Sequence, residues 1–258
     1  MKVSYLQYDV MHDVQKNIAH IKKCLNGMEH NDVVILPELS MSGYLFKNKK
    51  ELSDCAELVP SGTSTQAMIA LSKQFLCTII FGVAEKDGEK LFNTAVIVSK
   101  GRYIGKYRKI HLSDFEKKVF DSGNENKIFE VEGIKIGVQI CFDLWFPEMS
   151  REQVRMGANI LFVLANFGGE TTYHITKVRA IENLTPLVLC NRVGFESIPG
   201  MDAEFLGMST IVDQFGQRIC TAPAGVESFN SYDIDVTTKK SNVICNDFDS
   251  EIAFHYQQ

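Results

Sequence analysis

No stretch of the chain approaches the ~20 consecutive apolar residues that a membrane-spanning helix needs, so a membrane partner is not expected. A basic block is also missing. The 27 Lys and Arg residues are scattered against 32 Asp and Glu, for a net charge of −5, which denies phosphate backbones or anionic lipid a positive face to bind. Nucleic acid is therefore not an expected partner either. The seven cysteines are odd in number and widely spaced, with no C-x-x-C pair, unlike a disulfide framework or a zinc ribbon. The six histidines show no H-E-x-x-H or other paired-ligand spacing, so no metal is expected. No G-x-G-x-x-G or G-x-x-x-x-G-K-[ST] follows a strand, which disfavours a nucleotide-binding α/β protein. With no Pro/Ser/Gly-rich linker or low-complexity run, residues 1–258 read as one domain. The opening Met1-Lys-Val-Ser-Tyr-Leu-Gln-Tyr alternates polar and apolar residues instead of presenting a basic and then an apolar region; a cytoplasmic location is expected.

What the chain does contain is a series of short β-branched and aromatic runs. Strands are expected over Val3 to Val10, Val33 to Leu36, Cys77 to Ala84, Asn93 to Ser99, Gly133 to Ile140, Asn159 to Ala165, Pro186 to Arg192, Ser209 to Asp213 and Ser231 to Val236. Helical periodicity lies between them at Val14 to Met28, Thr65 to Phe75, Pro147 to Met156 and Tyr173 to Asn183. Val33 to Leu36 and Leu161 to Leu164 are apolar at consecutive positions, which argues for sheets covered on both faces. In such α/β layers chemistry gathers on loops beyond the carboxyl ends of strands.

Three polar residues occupy those positions. Glu38 follows four apolar residues and a proline, where a buried strand ends; a carboxylate there costs free energy unless it is paired or catalytic. A helix cap or an ordinary salt bridge would account for it equally. Lys109 lies in the cluster Lys106-Tyr-Arg-Lys-Ile-His111, where a solvated charge is the plain alternative. Cys141 ends an apolar run and precedes the proline-initiated helix at Pro147. A thiol at a helix N-terminus is favoured as thiolate, although free cysteine is also a common core residue. Together the three supply a base, a cation and a nucleophile, the set needed to attack a carbon bonded to nitrogen.

The blocks Val34-Ile-Leu-Pro-Glu38-Leu-Ser-Met-Ser-Gly-Tyr44, Gly105-Lys-Tyr-Arg-Lys109-Ile-His-Leu112 and Gly137-Val-Gln-Ile-Cys141-Phe-Asp-Leu-Trp-Phe-Pro-Glu148 resemble the nitrilase superfamily of carbon–nitrogen hydrolases, amidase-like branch. The resemblance continues through Arg179-Ala-Ile-Glu-Asn183, Asn191-Arg-Val-Gly194 and Gly207-Met-Ser-Thr-Ile-Val-Asp213. It implies a four-layer α-β-β-α sandwich and a Glu38–Lys109–Cys141 triad with no cofactor. It also implies a second glutamate, for which Glu116 is the match and Asp114 the competitor. Glu38 would act as general base, Cys141 as nucleophile forming a thioester, Lys109 and the Phe142 N–H as oxyanion donors, and Glu116 would orient substrate or water.

Tyr44, Phe115, Asn166 and Phe167 follow matched strands and are expected, with Phe142 and Trp145, to line the pocket. Trp145 stands where many amidase-like members have arginine, which disfavours an acidic substrate; as core it would carry no such meaning. A short aliphatic amide or an N-carbamoyl amine is the expected substrate, with a small nitrile or a non-catalytic scaffolding role as alternatives. His111 with Asp143 or Asp114 offers a rival Cys-His-Asp arrangement. A homodimer or higher homo-oligomer is expected, with the segment Asn246 to Tyr256 either docking on a partner or packing on its own subunit.

Overall fold

The computed structural model describes residues 1–27, 32–236 and 240–254. Its strands are β1 (Lys2–Gln7), β2 (Val33–Ile35), β3 (Thr78–Asp87), β4 (Lys90–Ser99), β5 (Arg102–Arg108), β6 (Ile128–Val131), β7 (Ile134–Ile140), β8 (Ile160–Ala165), β9 (Leu187–Asn191), β10 (Val193–Ile198), β11 (Met201–Leu206), β12 (Thr210–Val212), β13 (Arg218–Thr221) and β14 (Ser228–Asp233). The α-helices are α1 (Val14–Asn26), α2 (Lys49–Cys55), α3 (Thr63–Gln74), α4 (Pro147–Arg155), α5 (Thr171–Asn183) and α6 (Phe248–Phe254). No helix among the described residues is long and apolar enough to cross a membrane.

One six-stranded sheet runs β14-β1-β2-β3-β4-β5 and the other β13-β12-β9-β8-β7-β6. Each has three adjacent parallel strands, β1–β3 in the first and β7–β9 in the second, with antiparallel strands outside them. Residue parity builds the layers. Tyr5, Ile35, Ile80 and Ile97 of the first sheet meet Val138, Phe162, Leu164 and Val188 of the second in one buried core. Their sequence neighbours Leu6, Val34, Ile79 and Phe81 face Ile21, Leu25, Met68 and Leu71 of α1 and α3. On the far side Leu161, Val163, Leu187 and Leu189 pack with Val154 of α4 and Ala180 of α5. The result is a four-layer α-β-β-α sandwich. Consecutive apolar residues arise because both faces of these strands are dry, each side chain contributing roughly 1.5–3 kcal/mol by burial.

Elements outside this pattern escape sequence reading. β5, expected to be part of a loop, is an edge strand of mostly half-exposed polar residues. β6 and β13 are likewise four-residue edge strands, and the β10–β11 hairpin stands apart from both sheets. β14 lies three residues earlier than expected, with the polar Ser228-Phe-Asn230 paired to β1. The seven-residue α2 buries only Leu52 and starts on Asn48, whose side chain accepts the Glu51 N–H. At α3 the cap comes from a distance: the Glu57 carboxylate accepts the N–H groups of Ser64 and Thr65 at 2.8 and 3.0 Å.

The C-terminal segment forms α6, with Ile252 buried in the second sheet's outer core and Phe248 packed beside it, so this part packs on its own chain. His255 and Tyr256, and Met28 at the other expected helix end, lie outside the described residues.

The fold positions the chemistry through one close approach. A Cβ on Gly82 of β3 would lie 2.2 Å from the Leu39 nitrogen and 2.9 Å from the Glu38 carbonyl carbon. Ser40 straps the same place, its hydroxyl lying 3.1 Å from both the Gly82 nitrogen and its carbonyl oxygen. Gly82→Ala is expected to cost about 1–3 kcal/mol by overpacking, which calorimetry would read as a Tm lower by roughly 2–12 °C. An unchanged Tm would contradict this packing.

Candidate active site

Glu38 lies in the turn after β2, with Leu39 beside it in the left-handed region at φ 47°. Its backbone carbonyl accepts the Asn166 side-chain amide at 3.0 Å, which ties this loop of the first sheet to the end of β8 in the second. Lys109 follows β5 directly, and its backbone N–H donates to the Asn93 carbonyl of β4 at 2.8 Å. Glu116 opens a 3-10 turn, Glu116–Lys118, held by the Ser113 N–H on Glu116 Oε2 at 2.9 Å.

These three side chains converge with almost no exposed surface. The Lys109 ammonium donates to Glu38 Oε1 and Glu116 Oε1, each at 2.7 Å. Asn93 Nδ2 bridges the same two oxygens at 2.7 and 3.2 Å. Glu38 Oε2 is buried and has no hydrogen-bond partner among the described residues. Such an oxygen is costly unless something docks on it.

Cys141 follows β7 and opens a 3-10 turn, Cys141–Trp145, before α4 begins at Pro147. The sequence suggested a strand passing straight to a helix, and this turn is the difference. Its backbone stands at φ 47°, an uncommon conformation for a residue with a Cβ. The buried Asp143 anchors it, accepting the Ile140 N–H at 3.1 Å, the Tyr107 hydroxyl at 2.8 Å and the His111 N–H at 2.9 Å. One carboxylate thus joins the turn carrying Cys141 to the segment carrying Lys109.

The electrostatics separate the groups. Burial pushes the Glu38 carboxyl up to about 7; Lys109 opposes that shift and the Glu116 charge adds to it. Burial acts the same way on Glu116, but Lys109 and the Ser113 N–H and hydroxyl outweigh it and hold this carboxyl below its ordinary value. Lys109 loses hydration yet is held well above its usual range by the two carboxylates. The Cys141 thiol is raised, first by burial and then by the Glu38 charge, despite Lys109 and an Asn166 backbone N–H that donates to it. This reverses the helix-terminus expectation, which favoured the thiolate. A carboxyl near neutrality beside one kept ionised is the pattern that distinguishes a proton carrier from a fixed charge.

The remaining expected residues have the following surroundings. Tyr44 interacts electrostatically with Glu116, Lys109, Glu38 and Cys141, and its ring lies 6.1 Å from Phe115 and 6.0 Å from Phe205. Phe142 packs against Trp145 and Phe146 at 5.7 and 5.3 Å. Trp145 is 43% exposed, so it is no core residue; its indole N–H donates to Thr172 at 3.0 Å. Asn166 is brought in, with its Oδ1 buried and unpartnered among the described residues, whereas Phe167 has its backbone held by Asn191 and Leu206. Asp114 is exposed and paired with Lys117, whereas the Glu116 carboxylate is buried against Lys109. His111 does meet Asp143, ring nitrogen to oxygen at 3.1 Å, but it stacks on Phe146 at 3.7 Å and serves the same anchor as its own N–H.

Sequence reading missed Asn93, although a polar residue within Leu91-Phe-Asn-Thr-Ala95, buried on both sides, was a visible signal. It also missed that His20 and Cys24, four apart on α1, share a face and meet Glu227, with ligand-type atoms within 4.8 Å of one another. Ordinary contacts account for them: a histidine–carboxylate contact of 3.2 Å and a weak thiol contact of 3.6 Å.

The Carbon-nitrogen hydrolase family matches residues 2–241 of the chain. The chain is 32% identical over 240 residues to a nitrilase of Pyrococcus abyssi, covering 92% of this chain and 90% of that protein. It is 35% identical over 227 residues to the 2-oxoglutaramate amidase of Bacillus subtilis, covering 83% of each. Among solved structures, a carbon-nitrogen hydrolase from Helicobacter pylori superposes with a TM-score of 0.84 at 24% identity, covering 100% of this chain and 93% of that one. The chain therefore belongs to the carbon-nitrogen hydrolase family and is a hydrolase of the amidase/nitrilase type.

Proposed function

We propose that the protein is a cofactor-independent thiol hydrolase that cleaves the non-peptide C–N bond of a small aliphatic amide or N-carbamoyl amine and releases ammonia. The observation that carries this reading is the Lys109 ammonium shared by Glu38 and Glu116, with burial leaving Glu38 poised near neutrality and one of its oxygens unpartnered among the described residues, in the field of the Cys141 thiol. In this reading Glu38 Oε2 takes the thiol proton as sulfur bonds to the substrate carbon, and the C=O electron pair moves onto oxygen. Lys109 and the Phe142 N–H, one of the first of its turn, stabilise that oxyanion; a fixed donor of this kind contributes about 2.7–4 kcal/mol.

The C–N bond then breaks, and the nitrogen leaves as ammonia with the proton held by Glu38. Water adds to the thioester, giving its proton to Glu38, and the C–S bond breaks to yield the acid while the sulfur recovers its proton. Glu116 remains ionised and orients substrate or water. Tyr44, Phe115, Phe142, Trp145, Asn166 and Phe167 form the surrounding wall, whose aromatic character suits a short, largely apolar substrate better than an acidic one. The nitrilase of Pyrococcus abyssi supports a second reading, in which the same thiol adds to a small nitrile. A homodimer or larger homo-oligomer is part of the same proposal.

A panel of short aliphatic amides, ω-amides, N-carbamoyl amines and nitriles tests both readings by ammonia release. Wild-type turnover of an amide or carbamoyl compound, with Cys141→Ala lowering kcat at least about 10³-fold at unchanged circular dichroism, is the expected result. Turnover surviving Cys141→Ala would remove the thiol mechanism.

The pH profile is a separate prediction. Glu38 must be ionised to take the thiol proton, so kcat/KM and the rate of Cys141 alkylation by iodoacetamide should fall about tenfold per pH unit below pH about 7. That limb reports the Glu38 and Glu116 carboxyls together, since both hold the Lys109 ammonium. A limb in the ordinary carboxylate range near ~4.3 would contradict it.

A further inference from the structure

The β10–β11 hairpin belongs to neither large sheet, yet it reaches the loop that follows Glu38. Glu196 of β10 is buried and accepts the backbone N–H of Tyr44 at 3.0 and 3.1 Å and that of Leu45 at 2.6 Å. Arg192, with no exposed surface, donates to Glu196, to Asp9 at 3.0 Å and to the Val10 carbonyl at 2.8 Å. Its guanidinium lies 4.3 Å from the ring centre of Phe205 on β11. His12 Nε2 lies 3.2 Å from Glu196 Oε2. Burial opposes the charge on Glu196, but His12, Arg192 and the loop N–H groups hold its carboxyl down at about 2.

An ionised carboxylate removed from water is retained only where its partners are fixed. Here the fixed object is the Tyr44 backbone. From the other strand of the hairpin, Phe205 meets the Tyr44 ring edge-on at 6.0 Å. Gly43, at φ 83°, lets the loop pass, since a Cβ there would lie 2.7 Å from the His12 ring and 3.0 Å from Glu196. The hairpin therefore grips Tyr44 twice, by main chain and by ring. The hydrogen bonds and ion pairs that Glu196 makes involve neither Glu38, Lys109, Glu116 nor Cys141.

We infer that Glu196 is a positioning residue for substrate recognition: by holding the Tyr44–Leu45 backbone, it sets Tyr44 against Phe205 as the wall that receives the non-reacting end of a small aliphatic amide. This inference rests on the function proposed for the Cys141 cluster. It makes the β10–β11 hairpin a determinant of substrate choice, acting on binding and leaving the bond-breaking groups in place.

The test is steady-state kinetics of Glu196→Gln, Tyr44→Ala and the double variant on the best amide of the panel, beside the iodoacetamide alkylation rate of Cys141. Glu196→Gln is expected to raise KM about tenfold with kcat and alkylation rate within about twofold of wild type. Added to Tyr44→Ala, it should change KM no further, the non-additivity of residues acting as one unit. A KM left unchanged, a fall of kcat and alkylation in step with KM, or additive effects would each overturn the inference. Should Glu196→Gln fail to fold, Phe205→Leu carries the same expectation and the same overturning results. Wild-type turnover that Cys141→Ala abolishes is the control for the underlying reading. Failure there strikes the proposed function, and failure only in the Glu196 arm strikes this inference.

Discussion

One ammonium group organises the site. Lys109 stands 2.7 Å from two carboxylates that have no access to water. Two like charges in one dry cavity could not both ionise without it, and the cation could not stay charged without them. The arrangement is asymmetric because the second oxygens differ: Glu116 Oε2 has the Ser113 N–H, while Glu38 Oε2 has no partner among the described residues. Burial raises both carboxyls, but Lys109 and the Ser113 hydrogen bonds hold Glu116 down while the neighbouring Glu116 charge adds to the rise at Glu38, so two chemically identical side chains acquire different capacities.

The surrounding polar residues act as spacers for that geometry. Asn93 fixes the separation of the two Oε1 atoms. Asp143 ties the segment after β5 to the turn after β7, and Asn166 ties the end of β8 to the loop after β2. Asp143 and Asn166 thereby join one sheet to the other. Buried polar contacts of this kind are expensive when incomplete and specific when satisfied, which accounts for their concentration where the two sheets must be held in register.

Much of the sandwich was legible because runs such as Leu161-Phe-Val-Leu164 carry a two-sided burial signal that no loop would show. The positions of Glu38, Lys109 and Cys141 at strand ends were legible for the same reason, as polar residues where apolar runs stop. Edge strands such as β5 were hidden because half their surface is wet and their composition follows solvent. The sign of the Cys141 shift was hidden for another reason. A helix N-terminus is a local feature, whereas the burial that raises the thiol comes from the packed fold and the Glu38 charge from chain about a hundred residues away. Arg192 and Glu196 gave no periodic signal at all, since their partners lie in loops on the opposite side of the sequence.

The division of the site between the two sheets has a consequence for how activity is lost. Glu38 and Lys109 ride on the first sheet, Cys141 and Asn166 on the second, and the interdigitated core of Tyr5, Ile80, Phe162 and their neighbours, with the Asp143 and Asn166 hydrogen bonds, sets the spacing between them. An expanded state that kept both sheets but let this core loosen would preserve its far-ultraviolet signature and still separate the Glu38 carboxylate from the Cys141 sulfur. Turnover is therefore a finer gauge of tertiary order in this molecule than secondary structure is, and inactivation on heating or in acid should precede the melting of the strands.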